Sequence, residues 1–304
     1  MKKNIIFATL LVILTAGETA FAQSIGDKHI QDSLKMLLVM RTIKCDLRIE
    51  SIVDGKNYTA WGNYAEQVLP QASPVSFLRS MYRLEIYFLP NTPMTSEVQP
   101  NSMTLVCYAS EDGGKHRIER CTVVEGKNWF STIDLKVLEE RLKATNREIF
   151  FSHVSEVRNL GGLAGMMRQI NRFYEFSPPA QEELHDEETV PAWKLTGTLR
   201  SVHRKDLLTR FGGLNKKGQY PPDFPSDIEI WLGRHNDFPY KVRYLRRTAE
   251  NSEQKELLFQ ETLYKVVLNG PPIPAARFDP LKVPEGMFSK QDETEDFIKT
   301  LELY

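Results

Sequence analysis

Apolar side chains recur at Ile30, Leu34, Leu37 and Leu38 behind a candidate cap at Asp27, and this spacing predicts an amphipathic helix. The period then changes to two. Leu47, Ile49 and Ser51 alternate with Arg48 and Glu50, Asp54-Gly55 supplies a turn, and Tyr58, Ala60, Gly62 and Tyr64 run back, which reads as a β-hairpin. Alternation resumes over 77–89, 103–110, 116–125 and 128–133; in the first of these Tyr82, Leu84, Ile86 and Phe88 make an apolar face. Asp134 then caps a short helix carrying Leu135, Leu138 and Leu142, and Leu163, Met166, Met167, Ile170 and Phe173 mark a third helix within 160–173. The second half returns to strands over 192–202, 227–233, 240–248 and 256–268.

Two segments interrupt these periods. Glu182, Glu183, Asp186, Glu187 and Glu188 fill a polar stretch, 178–190, that reads as a solvated loop. The stretch 204–226, rich in Gly, Pro and Lys, is too long for a hairpin turn and reads as an inserted flap, while 287–304 forms an acidic tail. Helices that punctuate strands, rather than alternate with them, exclude a doubly wound parallel sheet. The expected fold is α+β, with about ten or eleven strands in a single large antiparallel sheet. A sheet of that size has to curl, and about three helices cover its concave face as one domain over 23–304.

Charge and composition narrow the function classes. The 304 residues carry 39 basic and 40 acidic side chains, so a net charge of −1 excludes a broad electrostatic footprint for nucleic acid. Lys2 and Lys3, an apolar run from Ile5 to Ala16 and the small-residue site Ala20-Phe21-Ala22 have the three-part layout of a secretory signal peptide, expected over 1–22. That run is shorter than the roughly 20 residues a bilayer core requires, and no later segment of the mature chain reaches that length without charges. The mature chain is therefore expected to be exported, periplasmic in a bacterium, and soluble after cleavage near Ala22.

Candidate chemistry is sparse. Neither GxSxG, HExxH, Walker A, GxGxxG nor an EF-hand pattern occurs in the mature chain, and no cofactor is expected. The six histidines are scattered without metal-ligand spacing, and the cation-binding alternative at His185-Asp186-Glu187-Glu188 competes with a simple solvated loop. Cys107 and Cys121 flank the turn signal Asp112-Gly113-Gly114; a hairpin centred on Gly114 would set them opposite each other for a disulfide, and two reduced buried cysteines are the other reading. Cys45 is left over as a buried free thiol. A basic group, Arg200, His203, Arg204, Lys205, Arg210, Lys216 and Lys217 with Lys241, Arg243, Arg246 and Arg247, reads either as a patch for phosphate headgroups or an acidic partner, or as separate solvated charges.

Several short motifs resemble those of LolA-like outer-membrane lipoprotein carrier proteins. They are Thr59-Ala-Trp-Gly-Asn-Tyr64, Met81-Tyr-Arg-Leu-Glu85, Val123-Val-Glu-Gly-Lys-Asn-Trp129, Trp193-Lys-Leu-Thr-Gly197, Ile228-Glu-Ile-Trp-Leu232, Phe238-Pro-Tyr-Lys-Val242 and Val283-Pro-Glu-Gly286, in an order spanning nearly all of the mature chain. The 204–226 flap and Glu125, where the family often has aspartate, depart from that pattern. The resemblance implies a half-open β-barrel under a helical lid and a non-enzymatic periplasmic carrier of lipid or lipoprotein acyl chains. The cavity and lid would then use Trp61, Phe88, Trp129, Leu163, Met166, Met167, Ile170, Trp193 and Trp231, with Arg79 or Arg83 as the family's strand arginine. Two other readings stand beside it: a module of the same fold that senses or docks a membrane-associated protein, with no transported ligand, and an envelope hydrolase without a recognised motif.

Overall fold

Alternating side chains and a tight return make the first hairpin. In the computed structural model, β1 (Thr42–Val53) pairs with β2 (Lys56–Val68) in unbroken register from Thr42 opposite Gln67 to Val53 opposite Lys56. Ile43, Cys45 and Leu47 face the same side as Ala60 and Tyr64, and all five are buried. Gly62 is required on that side: a Cβ there would lie 1.8 Å from the carbonyl oxygen of Glu85 on β3 (Ser80–Phe88). The structure describes residues 24–53, 56–69, 80–88, 101–109, 115–124, 127–145, 161–250, 252–283, 286 and 288–302, so the expected leader 1–22 and Arg79 lie outside the described residues.

The meander continues through β3, β4 (Asn101–Ala109), β5 (His116–Val124) and β6 (Lys127–Asp134), which lies next to the edge strand β13 (Ser289–Asp292). Asp134 accepts hydrogen bonds from the backbone N–H groups of Lys136 (3.1 Å) and Val137 (3.3 Å), so it caps α2 (Leu135–Thr145) as its position predicts. Next among the described elements, α3 (Gly162–Phe173) enters β7 (Tyr174–Phe176) at the opposite edge, followed by β8 (Ala180–His185), β9 (Thr189–Leu199), α4 (Ser201–Arg210), β10 (Asp227–Gly233), β11 (Pro239–Arg247) and β12 (Lys255–Leu268). Antiparallel pairing of β12 with β1 joins the two halves, Ile43 opposite Leu268. The result is a single open curled sheet with 13 strands among the described residues, in the order β13-β6-β5-β4-β3-β2-β1-β12-β11-β10-β9-β7, with β8 also on β9.

Strands and helices outnumber the expectation, and each addition has a physical origin. The acidic stretch read as a loop contains β8, because Leu184 buries against Ala192 and Trp231 while its charges find partners across the outer face. Glu182 meets Lys194 (3.7 Å), Asp186 meets Lys241 (2.6 Å) and Glu187 meets Arg48 (3.4 Å). Much of the stretch read as a flap folds onto the core. Within it α4 buries Leu207, and Phe224 stacks on Tyr220 at 5.1 Å and meets Phe211 edge-on at 5.5 Å. The acidic tail carries β13 (Ser289–Asp292), parallel to β6, and α5 (Thr294–Glu302).

Two local expectations are corrected. The first helix, α1 (Ile25–Val39), is capped by Ser24, whose hydroxyl accepts from the N–H of Asp27 at 3.0 Å and donates to the Phe176 carbonyl at 2.7 Å. Asp27 sits in the first turn and instead accepts from the N–H of Phe176 (3.1 Å), tying α1 to β7. In the β4–β5 hairpin Cys107 stands opposite Ile118 and Cys121 opposite Thr104, so the hairpin is not centred on Gly114 and the two cysteines point to opposite faces. All three cysteines are free.

Candidate functional site

The inner face of the sheet is set by the register. Leu47, Gly62, Ile86 and Met103 are aligned across β1 to β4, and Cys45, Tyr64, Leu84 and Leu105 form the neighbouring row. On the far side of β1 the face continues through Leu263 and Val242 to Ile230 and Leu195. These residues and α3 share one hydrophobic cluster. Leu163, Met166, Met167 and Ile170 are all at or below 4% exposure, and Phe173 lies beside them.

The N-terminal end of α3 is seated on the sheet by two glycines and a carboxylate. Gly161 and Gly162 have φ of 84° and 60°, in the left-handed region that favours glycine. A Cβ on Gly162 would also lie 2.6 Å from the Tyr64 hydroxyl and 2.8 Å from Glu66 Oε2. Glu66, 2% exposed, accepts from the Tyr64 hydroxyl at 2.7 Å and from the N–H of Leu163 at 3.4 Å. A carboxylate at this helix end complements the partial positive charge of the unpaired N–H groups. At the other end, the N–H of Arg200 donates to the Phe173 carbonyl at 2.8 Å.

A second polar group lies on the same face. Cys107 Sγ is 3.4 Å from His116 Nε2, with Tyr82 alongside Cys107 in the adjoining strand. The pair has the residue types of a nucleophilic dyad without its electrostatics. Burial pushes the thiol far above its ordinary range and pushes the His116 imidazole down to about 4, so both groups are neutral near pH 7. Burial, with Cys107 and Glu66 nearby, likewise pushes the Tyr82 phenol well above its usual range. Among the described residues, no group of three or more His, Cys, Asp or Glu is placed to hold a metal ion.

The sequence-predicted site residues divide by face. Phe88 and Trp193 lie on the inner face, both packed against the main cluster, and Trp193 also meets the His29 ring at 5.4 Å. Trp129, opposite Thr122, shares that face near the edge of the sheet and is 45% exposed. Trp61 and Trp231 are corrections to the inner set. Trp61 pairs with Arg48 and Tyr87 on the outer face. Trp231 pairs with Lys194 and Lys241, whose ammonium groups lie 4.9 and 5.1 Å from its ring. Arg83 is also on the outer face, bonded to Glu85 at 2.7 Å. Glu66 escaped the sequence reading, although its even spacing from Tyr64 was enough to place it on the inner side.

The strand half of the basic group is consumed in ion pairs: Lys241 with Asp186, Arg243 with Glu229 (3.0 Å), Arg246 with Glu256 and Arg247 with Asp227 (2.8 Å). Arg200 is 3.3 Å from Asp27, while Lys205, Lys216 and Lys217 are exposed. No helix among the described residues is long and apolar enough to cross a membrane.

No family model matches this sequence, and none of the curated proteins does. The solved structures it is similar to include a DUF1329 family protein from Desulfovibrio piger, at 9% identity over 84% of this chain and 98% of that one, with a TM-score of 0.35. LprF from Mycobacterium bovis is similar at 9% identity over 82% of this chain and 94% of that one, also with a TM-score of 0.35. A putative outer membrane lipoprotein-sorting protein domain from Vibrio parahaemolyticus is similar at 9% identity over 83% of this chain and 97% of that one, with a TM-score of 0.29.

Proposed function

We propose that the chain is a non-enzymatic carrier that binds an acyl chain of a lipid or lipoprotein between the inner face of its sheet and α3, in the periplasm. The observation that carries this reading is the cover itself: α3 lays Leu163, Met166, Met167 and Ile170 over an apolar sheet face, beside Ile30 and Leu37 of α1. In the structure these side chains fill the space, so an acyl chain enters by displacing them. Methionine suits that exchange because its unbranched thioether repacks at little cost. Each methylene transferred from water to the site gains about 0.8 kcal/mol.

The same burial favours a second reading, in which the interior stays filled and the fold docks a membrane-associated protein. Native mass spectrometry with lipid extraction on the exported protein separates the two, together with uptake of a fluorescent fatty acid. Co-purified acyl lipid, lost when Met166 and Met167 are replaced by Asp in a chain that still folds, supports the carrier. A ligand-free protein that takes up no fatty acid overturns it in favour of docking.

A further inference from the structure

The face of the sheet opposite α3 carries a groove of about 600 Å³ between the β1–β2 hairpin and the segment that follows β12. Its wall is pinned in three places. Thr42 Oγ1 donates to the Gly270 carbonyl (3.1 Å), the N–H of Ile273 donates to Gln67 Oε1 (2.9 Å), and Ile273 and Phe278 pack on Ala65. Beyond them a short 3-10 helix (Ala275–Phe278) brings Arg277 against Glu85 (2.9 Å) and Asn63.

On the opposite side of the groove the β1–β12 ladder is irregular. Lys44 pairs with Val267, but Asp46 pairs with Tyr264, so β12 holds one residue more than β1 over this interval. Lys265 lies in that bulge with φ of 50°, an uncommon conformation for a residue other than glycine. Bulges of this kind re-aim side chains and recur beside functional sites. Lys265 lines the groove and pairs with Asp46 at 2.9 Å.

The charges around this groove do not balance. Arg83 (2.7 Å) and Arg277 (2.9 Å) share the single carboxylate of Glu85, Lys265 is matched by Asp46, and the Lys44 ammonium makes no hydrogen bond or ion pair among the described residues. Lys44, Lys265 and Arg277 thus outnumber Asp46, the one carboxylate in the lining, in a space whose remaining wall, Ala65, Ile273, Pro274 and Ala276, is apolar or small. A cleft of this size with a few convergent polar groups and an apolar wall is the usual form of a small-molecule site.

We propose that this outer groove is a second binding site, for a phosphoryl group on a small organic molecule or lipid headgroup, held by Lys44, Lys265 and Arg277. The Lys44 ammonium supplies the unmatched point charge, and Arg277 and Lys265 reach the phosphoryl oxygens with the N–H groups that Glu85, Asn63 and Asp46 leave over. The site lies on the other side of the sheet from the acyl site and stands whether or not that face carries cargo.

The test uses the mature chain, isotope-labelled for NMR, titrated with glycerol 3-phosphate, with inorganic phosphate, and with vesicles of phosphatidylcholine with or without phosphatidylglycerol. The expected result is saturable shifts of the amides of Lys44, Asn63 and Lys265, weakened at least tenfold in Lys44→Gln. This substitution removes an unpaired cation and leaves the fold intact. Shifts with the soluble phosphates identify a free ligand; a response confined to phosphatidylglycerol vesicles identifies a headgroup. Absence of saturable shifts with every probe, shifts scattered over the surface, or a Lys44→Gln variant that binds as well as the parent overturns the assignment.

Discussion

Replacing Asp227 with Ala is the most direct test of how the second half of the sheet is held. Asp227 opens β10 and is fully buried, at 0% exposure. Its carboxylate takes both nitrogens of the Arg247 fork at 2.8 Å, the Lys255 ammonium at 2.8 Å and the Ser226 hydroxyl at 2.8 Å. Removing one partner of a buried pair costs about 3–5 kcal/mol, because the other charges stay behind unmatched. Arg247 and Lys255 keep 30% and 27% of their side-chain surface in water, so hydration relieves them and the lower end, about 3 kcal/mol, applies. That is a large share of the 5–15 kcal/mol typical of a native domain and corresponds to a loss of roughly 6–12 °C in melting temperature. Burial alone would raise the Asp227 pKa, but hydrogen bonds from Arg247, Lys255 and Ser226 outweigh it and hold the carboxyl below its usual range. A depressed folded-state pKa contributes stability above the unfolded pKa near 4 and loses it as pH falls through the folded value. The gap between parent and variant should therefore be constant from about pH 7 to pH 5 and close in stronger acid. Urea unfolding followed by circular dichroism across that range measures it. A gap under about 1 kcal/mol at pH 7, or one that persists unchanged at pH 2, would refute the reasoning.

Two further outcomes follow from the burial pattern. Met167→Ala empties space under α3 at a site with 0% exposure and should cost about 2–5 kcal/mol in chemical unfolding; a carrier should show faster fatty-acid uptake in the same variant, whereas a filled docking module should only lose stability. Under native conditions iodoacetamide should label Cys121, the one cysteine that is not fully buried, and spare Cys45 and Cys107, with all three labelled after unfolding without reductant; a mass showing a lost hydrogen pair would mean that a bridge forms after all.

Much of this architecture is legible in local patterns because local side chains decide it. Alternation in β1 to β3, the Asp134 cap and the apolar stripe of α3 each rest on neighbours within a turn or a strand. The inner or outer placement of tryptophans was legible as well, through parity. Tyr58, Ala60, Gly62 and Tyr64 share a face, so Trp61 belongs to the other; Ile228, Ile230 and Leu232 exclude Trp231 in the same way. Residue type, a large apolar ring, is a poorer guide than position. The elements that escaped depend on distant partners. β8 lies in an acidic stretch, and Asp186, just past its end, finds its cation 55 residues away in Lys241. The turn signal at 112–114 fits more than one hairpin centre, and the pairing that wins sets buried Ile118 opposite buried Cys107. α4 has little amphipathic character, and the aromatic residues that complete its packing lie in the loop after it.

The strand order has a consequence for how the cover relates to the sheet. The first meander ends with β6, next to the edge strand β13, and the second half begins with β7 at the other margin. α3 runs directly into β7, so the helix on the inner face is anchored to that second margin. The cover is continuous with an edge strand, not an appendage added to a finished sheet. The two meanders are meanwhile stitched to each other by the ladder between β1 and β12. A cut in the chain ahead of α3 would leave the two meanders zipped together along that seam, which alone makes them one sheet.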